Sequence, residues 1–159
     1  MGRDILKIVD SLGRERYQSI IIHAPPEMGP RCSIFGKRLA EQSGGQYVDL
    51  LDYFIQHHEL SEQIDRFGHE RLTALLMDIS KGERILVIDR TDFLLDTWRK
   101  KERKAFYRMI ERQWDSYKPG KEAILVFCLQ SSVEIEELAA KSKWAEKRVF
   151  SLSDLDDIS

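Results

Sequence analysis

Five short, almost wholly apolar runs punctuate this chain, and they limit its fold more than any other feature. They lie at 19–23 (SIIIH), 46–50 (QYVDL), 84–89 (RILVID), 122–129 (EAILVFCL) and 148–152 (RVFSL). A half-exposed strand alternates apolar and polar residues, whereas a continuous Ile/Val/Leu run suits a strand buried on both faces, as in a parallel sheet covered by helices. The segments between the runs have helical period. Asp4 is placed to cap a helix with Ile5, Ile8, Val9 and Leu12 on one face, stopped at Gly13. A second helix is expected over 31–42, ended by Gly44 and Gly45. Ser61 is expected to open a longer one, with Ile64, Phe67, Leu72, Leu75, Leu76 and Ile79 recurring at three and four and Gly82 beyond its end. Phe106, Met109, Ile110, Trp114 and Tyr117 define a further apolar face closed by the turn KPGK, and Ser131 with Glu134 suggests a capping box for a last helix. The expectation is an α/β fold with a five-stranded parallel sheet between helical layers.

A chain of 159 residues, 42% hydrophobic, is the size of one domain with a sizeable core, so residues 1–159 are read as a single unit. The net charge of -2 excludes a globally basic nucleic-acid binder and leaves room for a local basic face. Cys32 and Cys128 lie far apart in sequence and suggest no metal or disulfide framework, which fits a reducing compartment. No apolar run approaches the roughly 18 residues of a membrane-spanning helix. The amphipathic first segment lacks a cleavage pattern, so a cytoplasmic protein without a membrane contact is expected.

The first apolar run leads into APPEMGPR, where a phosphate-binding loop would read GxxxxGK[ST] between strand and helix. In such a loop the glycines let backbone N–H groups wrap the phosphates, the lysine reaches the β and γ phosphates, and the hydroxyl binds Mg²⁺. Here Ala24 stands at the first glycine, Gly29 matches the second, Pro30 replaces the lysine and Arg31 replaces the hydroxyl residue. Pro30 removes both a charge and an N–H donor, and Arg31 offers no neutral oxygen to a metal. The plain alternative is a proline-rich turn ahead of a helix, with nothing bound.

The run ILVID has the form of a metal-binding strand, four apolar residues ending in Asp89, which would hold Mg²⁺ if it binds. The next residue, where related ATPases carry a glutamate that polarises water, is Arg90; Asp92 follows and also reads as a helix cap. The fourth run ends near Cys128 and Gln130, and Gln130 stands where a γ-phosphate sensor would be.

Taken together, these motifs resemble a small P-loop ATPase of the additional-strand class, as in AAA proteins, in which another strand lies between the P-loop strand and the metal-binding strand. That resemblance implies the sheet order 5-1-4-3-2 and a three-layer sandwich without a lid domain. More narrowly, the short amphipathic helix, HAPPEMGPR, YVDLLDYF and ILVIDRTDFLLD are similar to the BrxF-like P-loop protein of BREX-type phage-defence loci. The resemblance implies a nucleotide site at Ala24, Glu27, Met28, Gly29, Pro30, Arg31, Cys32, Asp89 and Gln130. The missing groups point to a pseudo-ATPase that needs no cofactor and assigns no catalytic residue, ATP or ADP with Mg²⁺ being what the site would take. Its expected partners are protein subunits of an antiviral complex or further copies of the chain. An atypical ATPase using Arg31 or Lys37 in place of the lysine, and a DNA-binding accessory factor, are the alternatives.

The segment WRKKERKAFYR carries Arg99, Lys100, Lys101, Arg103, Lys104 and Arg108, with Trp98 before them and Arg112 after. It reads as a surface for a protein partner or nucleic acid, or as a solvated helix face interleaved with Glu102 and Glu111. His57, His58, His69 and Glu70 lack the spacing of a metal site. Cys32, beside Arg31 at a helix start, is either a thiol of lowered pKa or a small packing residue.

Overall fold

The computed structural model describes residues 2–12, 19–113, 123–141 and 148–158. Its strands are β1 (Ser19–Ala24), β2 (Gln46–Asp49), β3 (Ile85–Asp89), β4 (Ile124–Gln130) and β5 (Val149–Ser151). They form one sheet in the order β2-β3-β4-β1-β5, with every pairing parallel. That is the expected order, read from the opposite edge. Every residue of β3 is buried, as a central strand with helices on both faces requires.

Strand residues alternate between two cores. On one face Ile20, Ile22, Val87 and Val126 pack with Val9 of α1 (Ile5–Leu12) and with Phe35 and Leu39 of α2 (Gly29–Ser43). The other face is covered by α3 (Leu50–Gln56), α4 (His58–Ser61), α5 (His69–Ile79), α6 (Asp92–Leu95), α7 (Lys100–Arg108) and α8 (Val133–Lys141). There Ile21, Leu86, Ile88 and Phe127 meet Phe54, Leu72, Leu76, Phe106 and Ile135. Phe106 stands edge-on to Phe127, their ring centroids 5.5 Å apart.

Local chemistry sets most of the helix ends. Asp4 Oδ1 accepts from the N–H groups of Leu6 and Lys7 at 3.0 and 3.4 Å, the cap anticipated for α1. Helix α2 ends at Gly44, which adopts φ of 73°, a left-handed conformation that glycine enters without strain. Beside it, a Cβ at position 45 would lie 2.5 Å from the Ile85 carbonyl oxygen, so Gly45 lets the chain turn tightly onto β3.

Three expectations need correction. Residue 50 starts α3 rather than ending β2, because Asp49 accepts the Asp52 N–H at 3.1 Å and caps that helix. Ser61 closes α4 instead of opening the long helix, which starts at His69 after the extended Gly68; Ile64 belongs to a separate 3₁₀ turn. Ser132, not Ser131, caps α8 by accepting the Ile135 N–H at 3.2 Å, while the Ser131 hydroxyl pairs with His23 Nδ1 at 2.9 Å. Glu134, the other half of the expected box, binds Arg103 instead. Met109 and Ile110 are buried as expected, in a π-helical turn (Met109–Gln113). Gly13, Trp114, Tyr117 and the KPGK turn lie outside the described residues.

Candidate functional site

In a parallel α/β sheet, ligands bind outside the carboxyl ends of the strands, where side chains from separate loops converge. Here that region holds a cavity of about 420 Å³. The ends of β1, β3 and β4 contribute Ala24, Asp89, Cys128 and Gln130, and the start of α2 contributes Gly29, Pro30, Cys32 and Ser33. Ala24 and Gln130 are register partners, and so are Asp89 and Cys128. Leu51, Phe93 and Leu129 supply an apolar wall. The chain thus brings Ala24, Gly29, Pro30, Cys32, Asp89 and Gln130 together around one cavity. Glu27, Met28 and Arg31 are outside the lining, and Arg31 is exposed.

The loop from β1 to α2 uses its own donors. Residues Pro26–Met28 form a 3₁₀ turn in which Met28 N–H donates to the Pro25 carbonyl at 2.9 Å and Gly29 N–H donates to the Pro26 carbonyl. Pro25, Pro26 and Pro30 have no N–H to give. The loop therefore runs straight into α2, with two of its N–H groups spent inside the turn. Gly29 has an ordinary right-handed helical backbone, and a Cβ there would meet nothing within 4 Å.

Asp89 is 5% exposed, and both of its oxygens have internal donors. Oδ1 accepts the Arg90 N–H at 2.9 Å, and Oδ2 accepts the Tyr47 hydroxyl at 2.5 Å. Register explains the second contact: Tyr47 sits on β2, two residues before Asp49, the pairing partner of Asp89. Burial, reinforced by the Asp89 carboxylate, raises the Tyr47 phenol far above its ordinary range, so it remains a donor at any working pH. Lys37 lies over the Tyr47 ring, 5.4 Å from its centroid, and is not part of the cavity lining.

Arg90 has φ of 58°, the one positive φ at a non-glycine position among the described residues. Its Nε reaches the Asp49 carboxylate at 3.0 Å, anchoring the side chain at the cavity rim. Next to it, the hydroxyl of fully buried Thr91 has no hydrogen-bond partner among the described residues. The corner after β3 thus stores backbone strain and an unmet polar group, costs of a kind that concentrate at functional sites.

Asp92 lines the cavity and stands at the start of α6, whose N-cap position is Thr91. Its Oδ1 accepts the Gln130 N–H at 3.0 Å, tying the start of α6 to the end of β4. Burial raises its carboxyl above the ordinary value, and the Gln130 bond opposes that shift. The lining carries Asp89, Asp92 and Asp96 beside the single guanidinium of Arg90, so acidic side chains outnumber basic ones there.

Cys32 and Cys128, distant in sequence, meet beneath the cavity and are both buried free thiols. Contact with the Cys32 thiol, together with burial, pushes the Cys128 thiol well above its ordinary value. Cys32 itself is buried and packs in the core with Phe35 and Leu39, as a small packing residue does.

In the basic segment, Trp98 is buried, 7% exposed, and its indole N–H donates to the Phe67 carbonyl at 2.7 Å. Trp98 therefore belongs to the core and not to the partner surface read from this segment. Arg103 is bound to Glu134 at 2.8 Å and donates to the Trp98 carbonyl, so it ties α7 to α8. Arg99, Lys100, Lys101, Lys104 and Arg108 are exposed, and the Arg112 side chain lies outside the described set.

The fold and the cavity define an α/β protein with an acidic pocket at the carboxyl edge of a parallel sheet. No family model matches the chain, and no curated protein is significantly similar to it. Among the described residues, no helix is long and apolar enough to cross a membrane, and no group of three or more His, Cys, Asp and Glu side chains is arranged to hold a metal ion.

Proposed function

We propose that this chain is a P-loop NTPase-like domain that has lost nucleotide turnover and acts as an assembly subunit. The observation that carries this reading is Asp89, whose two oxygens are occupied by the Tyr47 hydroxyl and the Arg90 amide. Those bonds take two of the carboxylate's roughly four acceptor positions and fix its orientation from within, so a metal would meet a carboxylate already partly satisfied. The loop opposite it supports the same reading, because three of its positions are prolines without an N–H and the Met28 and Gly29 N–H groups are spent inside the turn. Substituting Arg31 or Lys37 for the missing lysine finds no support in the geometry, since neither lines the cavity. With little left for phosphate chemistry, the work of the domain falls to its surface. The similarity to BrxF-like proteins makes a bacterial antiviral complex the context we propose.

Thermal unfolding with millimolar ATP or ADP, with and without Mg²⁺, tests the nucleotide part. A ligand that binds only the native state must raise the midpoint. We expect no rise and no phosphate release. A Mg²⁺-dependent rise that disappears in Asp89→Asn overturns the reading. Co-expression with neighbouring gene products tests the assembly part, and the expected result is a complex that co-purifies through gel filtration.

A further inference from the structure

The basic segment changes character once its side chains are sorted by direction. Glu102, which interrupts the run of cations in sequence, turns inward: its Oε1 accepts both the His69 N–H at 2.7 Å and the His69 ring at 2.6 Å. Arg103 turns the other way, onto Glu134, and Lys100 lies close enough to Glu134 to feel the same carboxylate. Besides exposed Lys100, α7 carries outward a stripe of Lys101, Lys104 and Arg108, all exposed. At about 100° per residue these three fall within an arc of about 60°, and they span about 10 Å of helix.

Exposed Arg99 stands just before the helix start, outside that arc. From there a groove of about 500 Å³ crosses to Arg66, also exposed, at the end of the turn before α5. Asp65 and Glu102 are the carboxylates in its lining. The aromatic side chains there, Phe67 and Trp98, are buried, and the exposed large apolar residues Ile34, Ile55 and Val133 are not part of it. A protein partner would want a desolvated apolar or aromatic anchor at the centre of its contact. This surface offers cations without one.

We propose that the face formed by Arg99, Lys101, Lys104 and Arg108, with Arg66 across the groove, binds the phosphate backbone of nucleic acid without reading its sequence. The side-chain ammonium and guanidinium groups would neutralise phosphates and release counterions, so affinity should fall steeply with salt. The site is separate from the cavity at the carboxyl ends of the strands, and it holds whether or not that cavity takes nucleotide.

The test is fluorescence anisotropy of the full chain with a labelled duplex DNA at two potassium chloride concentrations, about 50 and 200 mM. Five phosphate contacts predict a log–log salt slope of about -4.5, roughly a five-hundredfold loss of affinity between those concentrations. The variant Lys101→Glu, Lys104→Glu, Arg108→Glu should bind at least tenfold more weakly at low salt and keep its thermal midpoint. Lys81→Glu, on an exposed lysine paired with Asp78, should bind as the parent does. If the triple variant loses its melting transition, Lys104→Gln carries the test, with a slope shallower by about one. The proposal falls if the parent does not bind at low salt, if the α7 variants bind unchanged, or if Lys81→Glu loses as much. It also falls if labelled poly-glutamate binds as tightly as DNA and is lost in the same variant, which would mark a surface for acidic protein.

Discussion

Replacing Tyr47 by Phe removes one oxygen atom from the molecule and tests what Asp89 is for. The ring keeps its packing, but Asp89 Oδ2 loses the donor now 2.5 Å away while the carboxylate stays buried at 5% exposure. A hydrogen bond to a charged group contributes about 1.5–3 kcal/mol, and leaving its buried partner unmet costs as much or more. At about 2–4 °C per kcal/mol for a domain of this size, Tyr47→Phe should lower the thermal midpoint by about 3–12 °C. A double-mutant cycle with Asp89→Asn isolates the pair: the two losses should be strongly non-additive, because either substitution removes the same charged bond. Calorimetry of the four proteins at neutral pH gives both numbers. An unchanged midpoint in Tyr47→Phe, or additive losses, would show that Asp89 does not depend on Tyr47 and would remove the main support for a self-satisfied carboxylate.

Gly29→Ala should raise the thermal midpoint by about 1–4 °C, since the backbone is already helical, the added methyl meets no atom, and glycine in a helix costs about 0.5–1 kcal/mol; a fall in midpoint would mean that the loop adopts another shape. Glu102→Gln tests the clasp on α5 through its pH dependence. The His69 N–H, chiefly, and the His69 ring hold the Glu102 carboxyl below its ordinary value near 4.5, so its stabilisation is present above that value and is lost as pH falls through the lower folded-state value. Melting curves of parent and variant should therefore differ at neutral pH and converge in acid, and a gap that does not depend on pH would refute the clasp.

The sheet was legible because burial on both faces leaves continuous apolar runs, and β1, β3 and β5 fall within a residue of theirs. Strand order came from the resemblance, since a run of isoleucines does not say which neighbour it pairs with. Helix α3 was missed although its signals are present: Asp49 as cap and the Leu50–Phe54 pair, four residues apart and both buried. The apolar period from Ile64 to Ile79 continued across Gly68 and concealed a break that backbone geometry makes plain. Asp89, Gly29 and the altered loop could be read from motif spacing alone. The Tyr47–Asp89 bond and the meeting of Cys32 with Cys128 could not, because they depend on strand register and on which face each residue takes. Trp98 misled for a simpler reason: a tryptophan beside five cations looks like surface until a carbonyl, that of Phe67, is found for its indole.

The edges of the sheet bear on how this molecule can be joined to another. The outermost strands of the order, β2 and β5, are four and three residues long. An edge this short offers a foreign backbone few ladder bonds, and brevity is one of the ways by which sheets resist pairing with strangers. Growth of the sheet across two chains is therefore disfavoured on both sides. Any companion must be recognised through side chains on the helical layers, where a single substitution can change the choice of partner while leaving the fold intact.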